Sequence, residues 1–229
     1  MKNPLSLAAV VAAVFVVSSA ARAEDPAPKM PPPASAPPAV APVPVVSVPT
    51  YENKTCPIMG KPSSKALFTD TEFGRIYVCC PPCIKKIQAD PTRAYQAAFP
   101  VTKKAGNKVD PVTGAAIGDK PVLLTLQGYE IALASEESVK PARANAQITI
   151  TKALDPAVVD VGNHTDPITG KPVTDNAFVL IDKDLVHLSA PAVADDVRRD
   201  PEKARAAAKA IAAKEAEARE KAKGAPAPK

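Results

Sequence analysis

The sequence predicts an α+β protein built from small ββα units in tandem, set behind a leader and a proline-rich linker and closed by an alanine-rich helix. Three observations predict it. The word Cys56-Pro-Ile-Met-Gly60 returns as Asp110-Pro-Val-Thr-Gly114 and Asp166-Pro-Ile-Thr-Gly170, at offsets of 54 and 56 residues. Fourteen residues after each closing glycine stands Gly74, Gly128 or Asp184, followed by a β-rich run at 75–79, 129–133 or 185–189. Helix-start signals, Asp90-Pro91 and Asp200-Pro201, follow the first and third of these runs. Self-similarity at a nearly fixed period is the mark of a repeated supersecondary unit.

The chain begins with features of an export signal. Lys2 supplies a short positive region, Leu5 to Val17 an apolar core and Ala21-Arg22-Ala23 a small-residue site, which together predict cleavage after Ala23 and export to the periplasm or the exterior. The apolar run is short for a membrane span and is softened by Ser18 and Ser19. Residues 24–50 are dominated by Pro, Ala and Val, a composition that favours extended polyproline II and withholds the backbone donors a sheet needs. They are expected to act as a semi-rigid spacer.

Three units of about fifty residues are expected next, at 51–104, 105–158 and 159–223, with hairpin turns near Phe73-Gly74, Gln127-Gly128 and Lys183-Asp184. Val122 to Leu126 and Phe178 to Ile181 read strongly as strands. In the first unit 82–89 carries Ile84 and Ile87 at i, i+3, and Asp90 caps a second helix over 92–99 with Pro91 at its first position. In the third unit Asp200-Pro201 opens a helix to about Lys223, with Glu215/Arg219 and Glu217/Lys221 at i, i+4 and one large apolar residue, Ile211, so most of it should be solvated. Residues 224–229 read as a disordered tail. A unit this small, with few aromatic residues, buries little apolar area and needs a metal or a neighbouring copy to stand.

All four cysteines of the chain fall between positions 56 and 83. Twenty-two residues separate Cys56 from Cys79 and three separate Cys79 from Cys83, so a hairpin-sized excursion returns the chain to its own start with Cys80 as a further thiol. Thiolates suit soft and borderline ions such as Cu(I) and Zn(II). The expected ligands are Cys56, Cys79 and Cys83, with Cys80 or the thioether of Met59 as candidate fourth. In the register of the words, Cys79 stands over Leu133 and Ser189, Cys80 over Ala134 and Ala190, and Cys83 over Glu137 and Val193, so the thiol site exists once. His164, Asp166 and His187 form a second ligand-like group. It is weighed against the plainer reading in which Asp166 caps its Asp-Pro turn and the histidines are ordinary surface or strand residues.

The one-Cys, then C-x3-C spacing resembles the TRASH family of heavy-metal trafficking and sensing domains. The flanking words, CPIMGKP and Tyr77-Val78-Cys79-Cys80 followed by Cys83 and Asp90-Pro91, are similar to the related YHS domain. The resemblance covers about residues 53–99 and implies a treble-clef-like unit that holds a heavy metal. YHS domains carry a Cys in their opening DPVCG word, where this chain has Met59, Thr113 and Thr169. For the second and third units the resemblance therefore implies shared shape without shared chemistry.

Composition narrows the function further. The formal charge of +5 falls to +3 once residues 1–23 are removed with Lys2 and Arg22, and no basic cluster interleaves with aromatics, which sets nucleic acid aside. The chain has no G-x-S-x-G, no phosphate-cradling glycine loop and no Cys with a persuasive His partner, which argues against an enzyme. The expected protein is an exported binder of a soft or borderline ion, Zn(II) or Cu(I), that works with a metal transporter or another exported metal protein. Two other classes stand beside it. Cys80-Pro-Pro-Cys83 is a C-x-x-C that fits a thiol redox protein, and an even cysteine count fits a disulfide-stapled interaction module.

Overall fold

The computed structural model describes residues 44–223. The expected leader at 1–23, the linker as far as residue 43 and the tail at 224–229 lie outside the described residues. The architecture is α+β: six α-helices and nine strands among the described residues, the strands falling into three separate small sheets. Among these residues no helix is long and apolar enough to cross a membrane.

Each sheet centres on one antiparallel hairpin with a two-residue turn. Strands β2 (Phe68–Thr71) and β3 (Gly74–Tyr77) pair Thr71 with Gly74 at the turn. β5 (Val122–Leu126) and β6 (Tyr129–Leu133) pair Leu126 with Tyr129, and β8 (Phe178–Ile181) and β9 (Asp184–His187) pair Ile181 with Asp184. The turns are thus Glu72-Phe73, Gln127-Gly128 and Asp182-Lys183. The first and third lie one residue earlier than the constant fourteen-residue offset predicts. The second hairpin gains a short parallel strand, β4 (Lys103–Lys104) on β6, and the third gains β7 (Val159–Asp160) on β9 in the same sense.

One further strand departs from the expected spacer. β1 (Val46–Ser47), inside the proline-rich stretch, pairs antiparallel with β8, and the Val45 N–H donates to Asp182 Oδ1 at 2.9 Å. Positions 45–48 read Val-Val-Ser-Val without proline, so their backbone retains the donors a sheet edge requires.

The first hairpin is followed by α1 (Pro82–Ala89) and α2 (Pro91–Ala98), and the Asp90 carboxylate caps α2 by accepting from the Arg93 N–H at 3.0 Å. After the second hairpin come α3 (Val139–Ala144) and α4 (Ala146–Leu154), which the sequence does not announce. α4 is buried along nearly its whole length, which explains its lack of an amphipathic stripe. Its polar residues are paired internally: the Thr151 hydroxyl donates to the Gln147 carbonyl at 2.7 Å and Thr149 to Ala142 at 3.2 Å. Ile148 packs with Phe178, Leu180 and Leu185 of the third hairpin, while Gln147 Nε2 reaches the Tyr77 hydroxyl of the first at 3.4 Å. α4 therefore ties all three hairpins together.

After the third hairpin come α5 (Ala194–Arg199) and the long α6 (Pro201–Lys223), which buries only Ala204 and Ala208. Its first turns also form ion pairs with the third hairpin. Arg205 and Lys209 pair with Asp182 and Asp184 at 3.0 and 2.6 Å. Glu215 accepts from the His164 N–H and the Thr165 hydroxyl, both at 2.8 Å, in place of the expected pairing along the helix with Arg219.

Candidate metal centre

The candidate centre grows from a small loop at the head of the first hairpin. In the loop Cys56–Gly60 the Cys56 N–H donates to the Lys61 carbonyl at 2.7 Å and the Gly60 N–H to the Cys56 carbonyl at 2.8 Å. Gly60 sits at φ +65°, left-handed backbone that glycine adopts without a Cβ penalty. Asn53 locks the loop to the hairpin: its amide donates to the Tyr77 carbonyl at 2.8 Å and its carbonyl oxygen accepts from the Tyr77 N–H at 2.8 Å. Cys56 is thereby set beside the end of β3.

The same bonds recur at the other two hairpins. Asn107 joins Ala132 and Asn163 joins His187 in the same two-way fashion. Asp110 and Asp166 close their loops with the N–H groups of Gly114 and Gly170 at 2.8 and 3.0 Å. These three asparagines were missed by sequence reasoning, although Asn53, Asn107 and Asn163 each stand three residues before the Cys or Asp of their word.

The bonds also correct the register expected from sequence. Asn53 pairs 24 residues ahead, Asn107 25 and Asn163 24, so the second hairpin holds one extra residue. Cys79 consequently stands over Ala134 and Ser189, Cys80 over Ser135 and Ala190, and Cys83 over Ser138 and Val193. The expected partners Leu133, Ala134 and Glu137 in the second unit were each one residue short. A constant fourteen-residue spacing counted from each glycine cannot reveal an insertion that falls before the strand.

β3 ends at Tyr77, and Pro81 and Pro82 cannot donate to a ladder, so Cys79 and Cys80 lie in a bend and not on alternating faces of a strand. Cys83 sits in the first turn of α1 and points into the core with Ile76, Val78, Ile87 and Tyr95. Cys56 and Cys83 are buried, at 1% and 2% exposure, while Cys79 and Cys80 are half-buried, so the cluster has a buried side and an open side.

All four thiols are free. The Sγ atoms of Cys56, Cys79 and Cys83 all lie within 4.8 Å of one another. An ion at about 2.3 Å from each thiolate spaces its sulfurs by roughly 4 Å, so these three side chains fit a soft or borderline metal. Cys80 adjoins two of them, 3.8 Å from Cys79 and 3.4 Å from Cys83, and so forms a second close triad with that pair, without Cys56.

The thiols divide by environment. Burial pushes the Cys56 thiol up, but the backbone N–H groups of Cys79, Ile58 and Met59 are directed at its sulfur and outweigh burial, bringing it down to about 7. Burial pushes Cys83 up to about 12, with the neighbouring thiols of Cys80 and Cys56 adding to the effect. Burial likewise raises Cys79, whereas the Cys83 contact lowers Cys80.

The cradle around the Cys56 sulfur is a cradle for an anion. At the second hairpin the same N–H groups serve a carboxylate: Asp110 accepts from Val112 at 2.8 Å, Thr113 at 3.2 Å, Ala134 at 2.8 Å and the Ser138 hydroxyl at 2.8 Å. At the third, Asp166 accepts from Ile168, Thr169 and Ser189 at 2.8, 3.0 and 2.6 Å. Burial disfavours both charges, but the donated hydrogen bonds prevail and hold both carboxyls below their ordinary range.

The second ligand-like group does not assemble. Asp166 is spent on its own loop, His164 is exposed, and His187 Nε2 is 2.8 Å from Asp160 Oδ1. Lys152 takes the other Asp160 oxygen at 3.2 Å. Burial opposes ionisation of Asp160, but its two partners outweigh it and hold the carboxyl at about 2.

Comparison with family models, with curated proteins and with solved structures gave no match.

Proposed function

We propose that this protein is an exported binder of a soft or borderline heavy-metal ion, Cu(I) or Zn(II), acting in metal trafficking, resistance or sensing and not as an enzyme. The observation that carries the reading is the convergence of the Cys56, Cys79 and Cys83 sulfurs within 4.8 Å, two of them buried and one half-open to solvent. The spacing of these residues and the similarity of 53–99 to TRASH and YHS domains support it. The chain is read as three tandem treble-clef-like ββα units. The first holds the ion, and the other two keep the shape with Asp110 and Asp166 in the place of Cys56. Export rests on the signal-like residues 1–23, and the partner is a metal transporter or another exported metal protein.

A second reading, a dithiol that cycles with its disulfide, is favoured by the 3.4 Å approach of Cys80 and Cys83. Elemental analysis with a free-thiol count on protein taken from its own compartment separates the two. One equivalent of metal with reduced thiols supports the binder. A metal-free protein with a Cys80–Cys83 disulfide supports the redox pair.

A further inference from the structure

We infer that Met59 is the residue that makes the site select Cu(I) over Zn(II), by offering its thioether on the open side of the three thiols. The inference rests on the metal-binding reading above and adds to it a ligand and a preference. Three observations carry it. Met59 lies in the Cys56–Gly60 loop beside the cluster and is 50% exposed, a large apolar residue that the core does not cover. The third hairpin shows where a side chain in this position goes. Thr169 holds the place of Met59 and Ser189 that of Cys79, and Thr169 Oγ1 lies 2.9 Å from Ser189 Oγ. The loops match in detail: Thr169 N–H reaches Asp166 as Met59 N–H reaches Cys56, and Gly170 and Gly60 have φ of +69° and +65°.

A side chain in the Met59 column is thus directed at the Cys79 column, and the methionine sulfur extends one atom beyond the threonine oxygen. Cys80 occupies the Cys79–Cys83 side of the cluster, which leaves the Cys56–Cys79 side to Met59. A thioether is neutral and soft. It adds affinity for Cu(I), which takes thioethers readily, and little for Zn(II), which prefers thiolate, imidazole or carboxylate.

The test is Met59→Leu, a volume-conserving change at an exposed position, with Cu(I) and Zn(II) affinities of both proteins measured by competition with chromophoric chelators under reducing conditions. Equal thermal midpoints of the two metal-free proteins would show that the variant folds. The expected result is a loss of about tenfold or more in Cu(I) affinity, with Zn(II) affinity unchanged within about twofold. Unchanged Cu(I) affinity, or equal losses for both ions, overturns the role of Met59 and leaves the three-thiol site standing. A wild-type protein that takes up neither ion overturns the metal-binding reading and this inference together.

Discussion

Cys56 can be replaced in two ways that the structure expects to behave oppositely. Cys56→Ala removes the acceptor for three inward-directed N–H groups, those of Cys79, Ile58 and Met59, at a position 1% exposed. A donor left without a partner costs about 1 kcal/mol, so the loss is roughly 3 kcal/mol. In a folded region of this size each kcal/mol moves the midpoint by about 2–4 °C, so the metal-free protein should melt on the order of 10 °C lower. Cys56→Asp places in the cradle the group that the other two hairpins already hold there. Its carboxylate would find the same backbone donors, with the Cys83 thiol where Ser138 donates to Asp110. Metal-free Cys56→Asp should therefore melt within a few degrees of metal-free wild type, yet bind Cu(I) or Zn(II) far more weakly. Thermal unfolding followed by circular dichroism, with a chelator present, reads both changes. If Cys56→Asp melts as low as Cys56→Ala, the equivalence of the three loops is refuted.

The remaining expectations concern pH and metal. Cys56 ionises near 7 in the fold against an ordinary 9.0, so its contribution to stability is full above pH 9.0 and is lost as pH falls through 7. Cys83 is raised to about 12 from 9.0, so its contribution is full below pH 9.0 and is lost as pH rises through 12. Reduced, metal-free protein should thus be more stable in urea at pH of about 9 than at either about 6 or about 12, and Cys56→Asp should remove the rise between about 6 and 9. A flat wild-type profile over that interval would refute the assignment. Adding one equivalent of metal should slow hydrogen exchange chiefly across 53–99, because the proposed ligands all lie there and their binding would add to folding. Uniform protection over all three hairpins would contradict this.

Much of the fold was legible because glycine, proline and aspartate act locally. Asp90-Pro91 and Asp200-Pro201 start helices where their caps require, and the three words open three loops whose glycines turn left-handed. α4 was not legible, because a helix buried on every side by three hairpins has no polar face to betray its period. The register of the second hairpin was lost to a single residue that shifts every later position without altering the words. That Cys56, Cys79 and Cys83 come together could be read from their spacing. The cradle of N–H groups that makes Cys56 the most acidic of them could not, since it becomes visible only when Asp110 and Asp166 are seen accepting the same bonds.

The central claim, that Cys56, Cys79 and Cys83 converge on one ion, is tested most directly by X-ray absorption at the metal edge of reduced protein loaded with one equivalent of Zn(II) or Cu(I). The account predicts a first shell made of sulfur, with at least the three thiolates at about 2.3 Å for Zn(II), and loss of that shell in Cys56→Ser, Cys79→Ser and Cys83→Ser. A shell dominated by nitrogen or oxygen, or one that survives all three substitutions, would contradict it.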